Sequence, residues 1–123
     1  RQMCIRDRAN KSSIFIKNYE NGSFYIDEKI YKHNIIIVNN NILEWVLSDP
    51  DDLQVDDFEK IITEKPEIII IGTGKDSILP KVEVIRQIQI HDIGIEFMKT
   101  ESACKTFNLL ISEERNVAGA FLI

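Results

Sequence analysis

The chain has 123 residues, 44% hydrophobic and 28% charged, ordinary proportions for one globular domain and too apolar for a disordered segment. Fifteen Lys+Arg against twenty Asp+Glu give a net charge of −5, which argues against a general nucleic-acid or anionic-membrane binder, because either needs a basic face. Apolar runs such as residues 35–38 and 68–71 fall far short of the roughly 20 residues that span a bilayer, so no membrane insertion is expected. Two cysteines make neither a disulfide scaffold nor a four-ligand zinc site.

Residues 1–8 show no periodicity and match the translated read-through of a transposon sequencing adapter. They are set aside as an artefact, and the domain is taken as residues 9–123. Three arginines and one aspartate leave with them, so the balance becomes 12 Lys+Arg against 19 Asp+Glu and the net charge −7. Cys104 is then the one thiol of the domain.

Residues 13–19 alternate as a strand, with Ile14, Ile16 and Asn18 on one face. Asn21-Gly22 supplies a tight hairpin turn, and residues 23–26 return as the partner strand. Asp27-Glu28 turns the chain into a short third strand over 29–32. The continuous β-branched run 35–38 predicts a strand covered on both faces. Asn39-Asn40-Asn41 is a turn, and 42–47 follows with Trp45 as its anchor. Residues 48–52 form a polar loop.

A short helix is predicted over 56–65, with Phe58, Ile61 and Ile62 as its buried stripe and Pro66 as its stop. Residues 67–71 give the strongest strand signal, ended by Gly72-Thr73-Gly74. A second helix over 81–91, opened by Leu79-Pro80 and stopped by Gly94, turns Val84, Ile85, Ile88 and Gln89 inward. Residues 95–99 form another strand. Thr100 is a suitable N-cap for a third helix over 101–112, whose apolar face carries Ala103, Phe107, Leu110 and Ile111. Residues 117–123 make a last strand. Strands first and then βαβαβ predict an α/β domain: a central mixed sheet with helices on its faces and an N-terminal hairpin layer.

The residues themselves name no reaction. Gly72, Thr73, Gly74 and Lys75 form a glycine loop after a buried strand, where bare backbone N–H groups and a lysine would suit a small anion. The loop fits neither the dinucleotide nor the phosphate-loop spacing, and a tight turn that lets a helix pack closely is the better reading. Thr100, Cys104 and Asn108 share one helix face. A cysteine near a helix N-terminus can be reactive, and a Cys–His–Asn set from Cys104, His33 or His91, and Asn108 is conceivable. No spacing supports it, and a small residue packing on the sheet is the better reading. His33 and His91 each stand alone, without a metal-ligand pattern. The acids at 49, 51, 52, 56 and 57 fail the calcium-loop pattern. No catalytic residue, metal or cofactor is therefore assigned. Arg115 lies in a polar turn, paired internally or facing a partner.

Two stretches carry a resemblance to a known family. One is Ile70-Ile71-Gly72-Thr73-Gly74, with Trp45 ahead of it. The other starts at Gly94 and runs Met98-x-Thr100-x-x-Ala103-x-x-Thr106-x-Asn108, with Cys104, Leu110, Glu113, Arg115, Val117 and Ala118 in step. In order and spacing the chain resembles the small Mth-like domain family, domain of unknown function four-nine-eight, over essentially residues 13–123. The resemblance implies a three-layer α/β fold with a mixed five-stranded sheet and no established enzymatic activity. Its mitochondrial members act in assembly of respiratory complex I through protein contacts in the peripheral arm. The family pattern often has glycine where this chain has Glu114. Gly72, Thr73, Gly74, Thr100, Cys104, Thr106, Asn108 and Arg115 match motif positions, and with Lys75 they mark a candidate surface or pocket.

The expectation is a non-enzymatic protein-interaction or assembly factor, with complex I peripheral-arm subunits or other assembly factors as partners. It would act in the bacterial cytoplasm, or in the mitochondrion if the source is eukaryotic. The alternative is a small-molecule (anion) binder or enzyme using residues 72–75. A homodimer through a sheet edge or the hairpin layer is left open.

Overall fold

The computed structural model describes residues 14–20, 22–45, 58–75 and 81–123. The expectations for residues 1–8, Ser13, Asn21, the 48–52 loop, the acids at 49–57 and the Leu79-Pro80 helix start lie outside the described residues. In chain order the strands are β1 Ile16–Glu20, β2 Ser23–Ile26, β3 Lys29–Tyr31, β4 Ile35–Val38, β5 Asn41–Glu44, β6 Ile68–Thr73, β7 Gly94–Met98 and β8 Val117–Leu122. The helices are α1 Glu59–Thr63, α2 Val82–Gln89 and α3 Thr100–Ser112.

The first three strands form an antiparallel sheet in the order β1-β2-β3, and the rest form a mixed sheet in the order β5-β4-β8-β6-β7. In the larger sheet β6 runs parallel to both β7 and β8, while β4 runs antiparallel to β5 and β8. The mixed α/β architecture expected from the sequence is therefore present, with the hairpin layer at its N-terminal side.

Burial explains why these residues make these strands. All four residues of β4 are buried, and so are the last five of the six in β6. A continuous isoleucine run suits a strand packed on both faces. One face carries Ile36, Ile69, Ile71, Ala118 and Ala120 against Phe58 and Ile61 of the α1 region and Val84 and Ile88 of α2. The other carries Ile35, Ile37, Ile70, Val117 and Phe121 against α3 and the hairpin sheet. The result is three layers: α1 and α2, the five-stranded sheet, and α3 beside the small sheet.

Several local expectations change. A bulge between Ile16 and Asn18 in the β1–β2 register breaks the alternation. Asn18 is consequently exposed, and Tyr19 turns inward onto Phe24 at 5.0 Å between ring centroids. Gln89 is exposed because the inward stripe of α2 is completed by Ile93 beyond the helix. That helix is stopped by Asp92 at φ 65°, whereas Gly94 is already the first residue of β7. Strand β5 begins at Asn41, leaving Asn39 and Asn40, both at positive φ, as a two-residue hairpin turn. Strand β6 continues through Gly72 and Thr73, paired in register with Phe121 and Leu122. The glycine loop is therefore shorter than expected. At Glu114 the chain takes a left-handed turn, φ 60°, on a residue other than glycine.

Gly72 is required by close approach. A Cβ there would lie 2.8 Å from Thr100 Oγ1 and 2.9 Å from Thr100 Cα, so α3 would have to move. At Gly94 an added Cβ meets nothing nearer than 3.4 Å. Gly72→Ala is expected to lower the unfolding free energy by about 1–3 kcal/mol, and Gly94→Ala to change it by less than about 0.5 kcal/mol, both measured by urea denaturation.

Candidate functional site

Strands β6 and β8 end side by side, and α3 begins above their carboxyl ends. Thr100 joins all three. Its hydroxyl accepts the Gly74 N–H at 2.8 Å and donates to the Leu122 carbonyl, while its own N–H donates to the Gly74 carbonyl at 2.9 Å. Thr100 is therefore the first helical residue and not an N-cap. The cap position belongs to Lys99, which makes no side-chain cap bond. The Thr100 hydroxyl is turned toward the sheet because two buried backbone groups there need a partner. The same bond removes Gly74 from the expected cradle of bare N–H groups. Thr73 points its hydroxyl to the Met98 carbonyl at 3.2 Å, bracing β6 against β7.

Further along α3, Asn108 reads the backbone of β1 as a strand would. It accepts the Ile16 N–H at 2.9 Å and donates to the Ile16 carbonyl at 2.8 Å. This pair of bonds fastens the small sheet to α3. Cys104 lies one turn earlier, buried at 5% exposure. Burial, reinforced by the nearby Glu101 carboxylate, pushes its thiol up to about 12. The reactive, low-pKa cysteine weighed from its place near a helix start is thus replaced by a protonated packing residue. Tyr19 is raised as well, mainly by burial and then by Cys104 and Glu101. His33 sits against the Asn34 carbonyl at 2.9 Å, and His91 is exposed. Among the described residues no group of three or more His, Cys, Asp or Glu is placed to hold a metal ion.

Arg115 is not part of this assembly. It follows the far end of α3 and pairs with Glu67, just before β6, at 3.4 Å on the exposed surface. The structure thus gathers Gly72, Gly74, Lys75 and Thr100 at one end of the sheet. It sets Cys104 and Asn108 along the hairpin side of α3 and leaves Arg115 at the opposite end.

A cleft of about 570 Å³ opens beside the first group, bounded by Gly74, Lys75, Lys99, Glu101, Tyr19 and Glu20. It lies at the carboxyl ends of parallel strands, where open α/β sheets hold ligands. Tyr19, Glu20, Lys99 and Glu101 were absent from the set read from the sequence. Lys99, next to Thr100, was within reach of that reading. Tyr19 and Glu20 lie some eighty positions away, and only the docking of the hairpin brings them in.

Residues 16–122 match the family model described as a protein of unknown function, DUF498/DUF598. The chain is 34% identical over 118 residues to a 13 kDa major membrane protein of Francisella tularensis subsp. holarctica, covering 94% of this chain and 96% of that protein. It is 26% identical over 124 residues to human NADH dehydrogenase [ubiquinone] 1 alpha subcomplex assembly factor 3, covering 99% of this chain and 67% of the human protein. A Mth938-like domain of Bordetella pertussis, solved by solution NMR, superposes with a TM-score of 0.77 at 22% identity, over 89% of this chain and 85% of that one. At that identity the superposition establishes the fold.

Thr100→Val should strand the Gly74 N–H and the Leu122 carbonyl, lowering stability by about 2–4 kcal/mol in urea denaturation, while Thr100→Ser keeps both bonds and costs about 1 kcal/mol. In a Cys4→Ser background, native Cys104 should alkylate at pH 8 about a thousandfold more slowly than in urea, following its thiolate fraction. Its folded pKa of about 12 stands above the ordinary thiol value of 9.0. The stability this gives is complete below pH 9 and is lost as pH rises toward 12, at no more than about 1.4 kcal/mol per pH unit.

Proposed function

The chain belongs to the DUF498/DUF598 family, and from that premise we propose that it is a non-enzymatic assembly factor that works by protein contact. The observation that carries the reading is the similarity to the human assembly factor, which spans 99% of this chain. The geometry supports it. The polar groups of Thr100, Gly74 and Asn108 are committed to bonds inside the fold. They hold a frame and are not free to move protons or bind a reacting atom.

The partners under this reading are peripheral-arm subunits of respiratory complex I, or factors that assemble with them, met in the bacterial cytoplasm. Contact with a peripheral arm needs no span of its own, and among the described residues no helix is long and apolar enough to cross a membrane. Membrane association through such an enzyme also fits the name of the Francisella relative. A second reading, a small ligand at residues 72–75, has the cleft beside Lys75 in its favour.

Arg115 suits a contact test because it is 43% exposed and its ion pair with Glu67 is a surface pair, worth about 1 kcal/mol at most. Arg115→Glu should therefore leave the domain folded. The tagged full chain, expressed near natural level in a bacterium containing complex I, should co-purify peripheral-arm subunits detectable by mass spectrometry. Arg115→Glu should reduce their recovery about tenfold, a loss of roughly 1.4 kcal/mol in binding. A preparation free of complex I subunits overturns the assembly reading. Full recovery with the variant overturns Arg115 as a contact.

A further inference from the structure

The cleft at the strand ends has a charge arrangement that the assembly reading does not use. Lys75 follows β6 and Lys99 follows β7. These are neighbouring parallel strands, in register at Gly72 and Met98, so both lysines leave the same end of the sheet and both line the cleft. Glu20, which closes β1 and accepts the Asn18 side-chain amide at 2.7 Å, and Glu101, in the first turn of α3, also line the cleft. Glu101 also borders the groove between α3 and β1, with Ile16, Tyr19 and Cys104.

Among the described residues none of these four charges is in an ion pair within 4.0 Å. Two cations and two anions thus line one cleft without direct ion pairs among them. The space between them is not filled from the backbone either. A Cβ on Gly74 would meet only the Ile123 carbonyl at 3.6 Å, and one on Gly22 would meet nothing within 4 Å.

Two cations and two anions around one cleft disfavour a simple anion, which the carboxylates and the overall charge of −5 would repel. They favour a ligand carrying both charges at separated ends. The volume of about 570 Å³ lies in the range of sites for small organic molecules and exceeds what a single ion needs.

We propose that this cleft binds a zwitterion of the short-peptide class, its carboxylate between Lys75 and Lys99 and its ammonium toward Glu20 and Glu101. Tyr19, which also lines the cleft, offers its phenol to the ligand backbone. The site stands on the cleft alone and is independent of the complex I reading. The ligand is a free di- or tripeptide or the paired termini of a processed segment, and both present the same two charges.

The test is titration of the 15N-labelled full chain with diglycine, acetate, methylamine and inorganic phosphate, followed through the Gly22, Gly74 and Lys99 amide resonances. Diglycine should shift these amides with a Kd below about 1 mM, and acetate and methylamine should each bind at least about tenfold more weakly. Lys99→Gln and Glu101→Gln, both at exposed positions, should each weaken diglycine about tenfold. Only Lys99→Gln should also weaken acetate. Tripeptides carrying an N-terminal acetyl or a C-terminal amide separate the sources: loss with either block requires free termini at both ends. No shift at about 20 mM diglycine, phosphate outcompeting diglycine at the same amides, or unchanged binding in both variants would overturn the proposal.

Discussion

One threonine hydroxyl holds the cleft end of this domain together. Thr100 takes the N–H that leaves β6 and the carbonyl that ends β8, and it starts α3 in the same step. The three elements come from chain positions far apart, and without that hydroxyl two buried backbone groups would lack partners. Gly72 is the complementary condition. With no Cβ it lets the Thr100 backbone come close enough for the bonds to form. The glycine and the threonine are one device, a close helix–sheet contact sealed by a shared hydroxyl.

A second polar device attaches the small sheet. Asn108 offers β1 the donor and acceptor that a neighbouring strand would have supplied. The apolar part of the joint is a run of rings, Tyr19 on Phe24, Phe24 on Phe121 and Phe121 edge-on to Phe107. The β1 bulge matters here because it turns Tyr19 inward to start that run. The same turn of the chain places Tyr19 and Glu20 at the cleft. Packing of the hairpin and construction of the cleft wall are thus one event.

The layers were legible because burial on two faces leaves a plain mark. The isoleucine runs of β4 and β6 read as covered strands, and the helix of 101–112 carried its apolar stripe in the right phase. What failed to show were interactions between distant segments. A threonine after a strand and before a helix looks like an N-cap, and only the positions of Gly74 and Leu122 reveal its other use. The bulge at Ile16–Asn18 leaves no trace in an alternating pattern. Asp92 takes the left-handed position assigned to Gly94, since aspartate also tolerates that conformation. Arg115 matched the motif in spacing, yet the length of α3 carries it to the other end of the sheet. The cleft was half legible: its lysines follow strands that the pattern located and Glu101 follows Thr100, whereas Tyr19 and Glu20 depend on the hairpin.

The position of β8 has a consequence for how the chain comes to be folded. Of the five strands in the large sheet it is the last in chain order, yet it lies at the centre, between β4 and β6. Until residues 117–122 are made, β4 and β6 have no common neighbour, and two isoleucine-rich strands wait with open edges. The sheet therefore closes only after its last strand has left the ribosome, through pairings remote in sequence that are inherently slow to form. A domain built this way has its most aggregation-prone interval during its own synthesis. Its need for protection is greatest before any partner can recognise the finished surface.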